Sequence, residues 1–599
     1  MRWLIGLLGA AIIAAVAAVV MVLPDAGKPP VKVSEKSTAA PSKKPQKPEK
    51  ALPSPTTTQV VDECGTFKTT EKVSYAVTGY WITPSTNPCT WRHQMEDIHL
   101  VGGDTVIRIG YGMQHRAIKD GLLLKNGEVD PMFEPCRENG RSCLRAAQDE
   151  LKQANPGNRI KHVYAYRTDE SFGPSIFRCP QMERVIQGEG KRAFFRLVAP
   201  SDGSDSATCD FTEAQDYDVI LIAASKTDSL DKLLKLGEQF GVQVFPALPL
   251  APRDPERPIR ADPEHLNALT TLTRRILQDY GARFKDHIAL GGVYQPFEVQ
   301  MTAALESNPT LDVFREQHLL VQQELSSEKQ ILISPYIDAR KRVDHGQSPA
   351  QVAAGFKALA ATGVGIIVPQ DGRGTGKGAL YWPDERDDPV DDSLKPVVGD
   401  ATFGTAYRGS TREYFRAMAD VRDQLIEQGD DVELWANVEA FEPSGTEPCA
   451  TQGTRGKTTK ERLDQAVAMT GRYVQKVVSY MWSDFYTCGR PSLQDDLLAD
   501  AGRPIAVDAI RSPEDGADGV RLRGYKLESG GVITVTWDGG EATLPIVEAM
   551  EALEDQGEGV METWVPFDWR QVPKGSWVRI GVGTMNGKLA TEPLHVRIQ

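Results

Sequence analysis

Histidine is scarce in this chain, with nine in 599 residues. None forms a His-x-x-x-His or other close ligand pair, so neither a catalytic metal nor a cofactor has support. The absence of Cys-x-x-Cys removes zinc-ribbon and thioredoxin-type chemistry. Neither Gly-x-Ser-x-Gly nor His-Glu-x-x-His occurs, so esterase and zinc-peptidase mechanisms lack their residues. Positive charge is outweighed: 68 Lys and Arg stand against 82 Asp and Glu, a formal charge of -14. That balance argues against a nucleic-acid backbone as partner and favours a neutral or cationic ligand. Gly372-Arg-Gly-Thr-Gly-Lys-Gly378 resembles a phosphate loop only superficially, since Gly-Ala follows where Ser or Thr should bind magnesium. It reads as a mobile rim loop able to carry Arg373 and Lys377 over an anionic sugar.

What is present is a set of short, β-branched or aromatic runs that end in polar, mostly acidic, residues. Four are consecutive: Ala289 to Glu298, Ile331 to Asp338, Val364 to Gly372 and Val432 to Phe441. Each looks like a strand buried on both faces, and the intervening segments are long enough to hold helices, which predicts a parallel sheet. Four more runs complete a count of eight: Thr78 to Ile82, Thr105 to Gly110, Val242 to Leu248 and Val477 to Phe485. The fold class expected is α/β, a (β/α)8 barrel over 63–490. Residues 113–216 read as an insertion pinned by its own disulfides. Val219 to Ala223 either continues the second strand or adds one. Leu230 to Phe240 reads as a helix closed by Gly241, and Asp262-Pro263 as the N-cap of another. From about 504 to 599, short alternating segments between Gly- and Asp-rich turns predict an antiparallel, immunoglobulin-like β-sandwich, with Leu544 to Leu553 as a short helix.

The ends of the chain bear on location. Trp3 to Leu23 is an unbroken apolar run of 21 residues, whereas a secretory core is ~7–15 and a membrane span ~20. It reads as a signal anchor over 1–23, or a cleaved leader, with the rest exported. Residues 24–62, rich in Pro, Lys, Ser and Thr, read as a semi-extended tether. The eight cysteines agree with an oxidising compartment. Cys449 and Cys488 follow consecutive predicted strands and are expected to pair. Cys64 with Cys89, Cys136 with Cys143 and Cys179 with Cys209 are the other pairs expected.

In a parallel barrel the C-terminal strand ends share one rim, where active sites sit. Glu298, Asp371 and Glu439 therefore converge as candidate catalytic acids. Glu298 follows aromatic and apolar residues, and desolvation there would raise its pKa toward that of a general acid. Glu433, Trp435, Asn437 and Glu439 alternate onto one face. Aromatic faces stack on sugar surfaces, which makes Tyr80, Trp81, Tyr294, Tyr336, Trp435 and Trp482 candidate substrate contacts. Gln295, Asp338, Gln370, Asn437 and Glu442 join them at the same strand ends.

The runs Gly291-Gly-Val-Tyr-Gln-Pro-Phe-Glu298, Leu332-Ile-Ser-Pro-Tyr336, Ile366-Ile-Val-Pro-Gln-Asp-Gly372 and Glu433-Leu-Trp-Ala-Asn-Val-Glu-Ala-Phe-Glu442 resemble those of the bacterial family domain of unknown function 4434. This is a glycoside-hydrolase-like (β/α)8 group, and the resemblance spans roughly residues 73–488. It implies a sugar-active exported barrel. In the wider clan of retaining glycosidases it points to Glu298 as acid/base and Glu439 as nucleophile, with Asp371 and Glu442 as reserves. Phe297-Glu298 departs from the Asn-Glu pair usual at that strand end. The function expected is a membrane-tethered, extracytoplasmic glycoside hydrolase acting on a polysaccharide or oligosaccharide. The alternative is a non-catalytic glycan-binding or wall-organising barrel.

Overall fold

The computed structural model describes residues 63–598 apart from 68–71, 189, 205–207, 327, 446–448, 450–453, 515 and 553–556. The expected anchor and tether lie outside the described residues. Among the described residues no helix is long and apolar enough to cross a membrane.

Eight parallel strands form the central sheet: β1 (Val77–Ile82), β2 (Thr105–Arg108), β3 (Gln243–Pro246), β4 (Gly292–Gln295), β5 (Gln330–Ile333), β6 (Ile366–Ile367), β7 (Glu433–Glu439) and β8 (Lys476–Tyr480). Their spatial order is β3-β2-β1-β8-β7-β6-β5-β4. Parallel bridges from Val244 to Leu290 and from Ala247 to Tyr294 join β3 to β4 and close the barrel. A helix of the outer layer follows each strand: α1 (Pro88–Leu100), α2 (Ser229–Phe240), α3 (Leu266–Phe284), α4 (Thr310–Glu324), α5 (Pro349–Ala360), α6 (Thr411–Gln428), α7 (Lys460–Thr470) and α8 (Leu493–Asp500). The chain therefore folds as a (β/α)8 barrel. Every strand is almost wholly buried because its inner face fills the barrel and its outer face meets the helices.

Local signals set the helix ends. Asp228 accepts from Leu230 and Asp231 to open α2, and Gly241 closes it at φ +69°, a conformation glycine takes without a Cβ penalty. Asp262 caps a 3-10 turn, Pro263–His265, that runs into α3. Capping boxes open α5 at Ser348, α6 at Ser410 and α8 at Ser492.

The insertion between β2 and α2 has its own five-stranded sheet, in the order 184–187, 192–200, 216–225, 159–167 and 114–115. With the helix Cys143–Ala154 it builds a second hydrophobic core around Leu144, Phe194, Val219 and Leu221. Val219 to Ala223 thus neither continues β2 nor adds a barrel strand. Its partners are Val163 to Arg167 and Phe194 to Val198, and the insertion runs to Ser225 rather than ending near 216. Arg108, the last residue of β2, ties the two parts together through buried ion pairs to Asp169 and Glu170. The four disulfides are Cys64–Cys89, Cys136–Cys143, Cys179–Cys209 and Cys449–Cys488, the pairs expected.

Beyond α8, two four-stranded antiparallel sheets stack as a sandwich. One contains Ile505–Arg511, Gly519–Tyr525, Met561–Pro566 and Met550–Glu551; the other contains Gly540–Pro545, Val532–Trp537, Trp577–Gly583 and Leu594–Arg597. The helix expected over Leu544 to Leu553 is absent among the described residues. Gly540–Pro545 instead alternates between half-buried and exposed positions as a strand paired with Val532–Trp537. Arg412 of α6 donates to Val507 O at 3.1 Å, and His595 stacks on Trp382 with ring centroids 5.2 Å apart, so the sandwich is packed on the barrel.

Candidate active site

Strand alternation puts Trp81, Tyr294, Asn437 and Glu439 inside the barrel. Trp81 meets Tyr294 edge-on at 6.1 Å and Tyr480 at 6.4 Å, making an aromatic floor at the C-terminal end. Above it, Glu298 is exposed and accepts a hydrogen bond from Gln370 Nε2 at 3.2 Å. Tyr336 stands beside it with Lys377 Nζ over its ring at 4.4 Å. The phenols of Tyr294 and Tyr336 are pushed up first by burial and then by neighbouring negative charge that includes Glu298. Tyr480 is pushed up by burial and by charges that include both Glu298 and Glu439, which puts it within electrostatic reach of the two acids.

Glu439 is deeper, 3% exposed, and accepts from Thr375 N at 3.0 Å. Burial first, and the charge of Asp371 second, push its carboxyl up from the usual 4.5 to about 8. Asp371 is 2% exposed and raised by burial, against the lowering influence of Arg462. Its Oδ1 accepts from Arg373 N at 3.0 Å and Glu439 N at 3.4 Å, while Oδ2 is buried with no hydrogen-bond partner. Burial and the neighbouring charge of Asp371 both disfavour the ionised form of Glu439, so the buried acid favours keeping its proton.

This sorting is opposite to the expectation. Glu298 is expected to be desolvated by Tyr294 and Phe297, but those side chains are buried while Glu298 itself is exposed. Glu439, expected as the nucleophile, is the buried acid. The loop 372–378 is also not free. Gly372 O accepts from Lys377 N at 2.8 Å and Gly378 N at 2.9 Å, and Arg373 is spent on Glu442 and Asp391.

Several predicted contacts lie elsewhere. Tyr80 and Trp482 pack on each other, 4.8 Å between centroids, outside the barrel lumen. Trp435 pairs in register with Lys476, the first residue of β8, and meets Phe245, so it plugs the opposite end of the barrel. Gln295 points outward to Gln317 of α4 and is 1% exposed. Asn437 is locked in the core, its Oδ1 accepting from Tyr480 N at 3.1 Å. Asp338 is sealed by Arg340 at 2.7 Å and His345 at 3.2 Å. Burial alone would raise its carboxyl, but Arg340 holds it below the usual range. Glu442 is bound by Arg373 at 2.8 Å and Arg462 at 2.9 Å, and lines a cavity of about 370 Å³ whose lining includes neither Glu298 nor Glu439. Arg462 and Thr375, which shape the buried pair, carry no sequence signal for that role.

Residues 207–494 match the family described as Domain of unknown function (DUF4434), and residues 125–224, most of the insertion, match Domain of unknown function (DUF8405). No curated protein matches the chain. Among solved structures the chain is similar to a glycoside hydrolase family 5 protein from Bacteroides vulgatus ATCC 8482, at 8% identity over 82% of this chain and 89% of that one, TM-score 0.32. It is similar to a beta-galactosidase from the psychrophilic Marinomonas ef1, at 8% identity over 71% and 59%, TM-score 0.33. It is also similar to an endo-beta-1,4-mannanase double mutant from Cellulomonas fimi, at 12% identity over 61% and 79%, TM-score 0.30. Likenesses this low say nothing about chemistry.

Proposed function

From a barrel whose residues 207–494 match the domain DUF4434, we propose a glycoside hydrolase that works on an extracytoplasmic polysaccharide with Glu439 as proton donor and the solvent-exposed Glu298 as its partner. The observation that carries this reading is the division of the two acids. One is open to solvent, and the other is buried with its carboxyl at about 8, the separation that acid and base roles need. Glu439 protonates the glycosidic oxygen as the bond to the anomeric carbon breaks. Glu298 then attacks that carbon or takes a proton from the attacking water. Trp81, Tyr294, Tyr336 and Tyr480 supply the stacking faces. Four disulfides and the apolar run at 3–23 support export and tethering to a membrane.

One observation favours the second reading, a glycan-binding barrel without turnover: Thr375 lies against Glu439 and covers it. Release of reducing ends from a polysaccharide panel, measured with the wild type, Glu298→Gln and Glu439→Gln, separates the two. Hydrolysis predicts turnover that each substitution cuts at least ~100-fold, with glycan binding retained. Binding without turnover in the wild type removes the hydrolase, and full turnover in either variant removes that residue from the chemistry.

A further inference from the structure

The insertion's sheet abuts the C-terminal rim of the barrel and leaves a cleft of about 510 Å³ between them. One wall is the turn after β1, Pro84 to Thr86, with Tyr111 beyond β2. The other is one end of the insertion sheet, where Arg167, Lys191 and Arg192 come together. They arrive there by register: Arg167 is paired with Ala223, and Arg192 with Ser225, at the end of three adjacent strands. In a chain of net charge -14 this is a local excess of positive charge. Its one lining acid, Asp169, is already neutralised, since it is ion-paired with Arg108 and accepts from Ser229 Oγ at 2.7 Å.

The cations are also uncommitted. Arg167 is exposed and lies over the Tyr111 ring at 5.2 Å, and Lys191 is exposed. Among the described residues neither side chain has a hydrogen-bond or ion-pair partner. Arg192 rests against the Met132 sulfur. Arg373, Arg340 and Arg462, by contrast, sit in ion pairs. Guanidinium and ammonium groups beside an aromatic ring and the hydroxyls of Thr168 and Ser225 suit a sugar that bears an anionic substituent. The cleft opens at the same end of the barrel as Glu298, and the turn that forms its wall directly follows β1, which carries the Trp81 floor of the mouth.

We propose that this cleft is a subsite for the anionic groups, carboxylate or sulfate, of an acidic glycan whose chain runs on into the barrel mouth. The proposal rests on the saccharide reading of that mouth and assigns the insertion a part in choosing the substrate.

The test is calorimetric titration of the full chain with three hexasaccharides: a 1,4-linked uronate, a sulfated chain and a neutral glucan. The wild type is expected to favour one of the acidic chains, which identifies the anion, and to lose that preference as salt rises from 0.05 to about 0.5 M through screening. The double variant Arg167→Ala, Lys191→Ala should weaken acidic binding at least ~10-fold and leave neutral binding and the Tm unchanged. Equal affinity of the wild type for acidic and neutral chains, or undiminished acidic binding in the double variant, overturns the proposal. The readout is separable from turnover. Acidic binding lost in the double variant, with nothing hydrolysed by the wild type, keeps the subsite and removes the hydrolase; hydrolysis of a neutral glycan without acidic preference does the reverse.

Discussion

Replacing Glu439 by Gln isolates the buried acid, because the amide keeps the acceptor for Thr375 N and removes the titration. The folded carboxyl sits near 8 against a usual 4.5. The native state therefore holds a proton that the unfolded chain has released anywhere between those values. A group raised in this way contributes stability fully present below the lower value and lost as pH rises through the higher one. At about 1.4 kcal/mol per unit, the interval from 4.5 to 7 amounts to ~3 kcal/mol, a ceiling because the proton is shared with Asp371. Unfolding by urea at a series of pH values from 5 to 8.5 reads this directly. The wild type should lose stability with rising pH, and Glu439→Gln should lose less, the gap widening by up to ~3 kcal/mol by pH 7. Parallel curves would refute the claim that Glu439 is protonated at neutral pH, and the proton-donor role with it.

Two further outcomes follow from buried groups. His318 is wholly buried and, by loss of water, lowered from 6.5 to about 4, with Nδ1 donating to Thr362 O at 3.1 Å. The unfolded chain accepts a proton that the folded ring refuses, so stability falls as pH drops from 6.5 toward 4, by up to ~3 kcal/mol. His318→Phe should flatten that limb in a urea series extended down to pH 4, and an unchanged limb contradicts it. Gly374→Ala would bring a Cβ within 2.7 Å of Phe441 O and 2.9 Å of Glu439 Cβ, forcing loop 372–378 away and wetting Glu439. The alkaline loss of stability should then shrink toward that of Glu439→Gln, and a full wild-type slope would count against the covering role of the loop.

The barrel was legible because a strand buried on both faces cannot alternate. The runs at Ile331, Ile366 and Val432 are continuous for that reason, and each appears as a wall of the closed sheet. The helix end at Gly241 and the helix start at Asp262 were equally readable, since a cap is a contact within a few residues. Val219 to Ala223 misled because a continuous apolar strand looks the same in either sheet, and only its partners, Val163 and Val198, assign it to the insertion. Leu544 misled because a strand at the edge of a sandwich leaves a pattern short enough to mimic a helical turn. At the mouth, parallel topology accounts for Glu298 and Glu439 both acting on Tyr480. Tyr80, Trp482 and Trp435 did not reach it, because an aromatic residue near a strand end serves a core as readily as a ligand.

The sequence by itself determined the eight-fold strand and helix succession, the staples at the eight cysteines and the set of acids available at one rim, since all of these follow from local pattern and from parallel strand direction. Only the tertiary structure decided which acid is wet and which is dry. Glu439 owes its burial and raised carboxyl to Thr375 and Asp371, 64 and 68 residues away along the chain, and a desolvation energy depends on what surrounds a group in space.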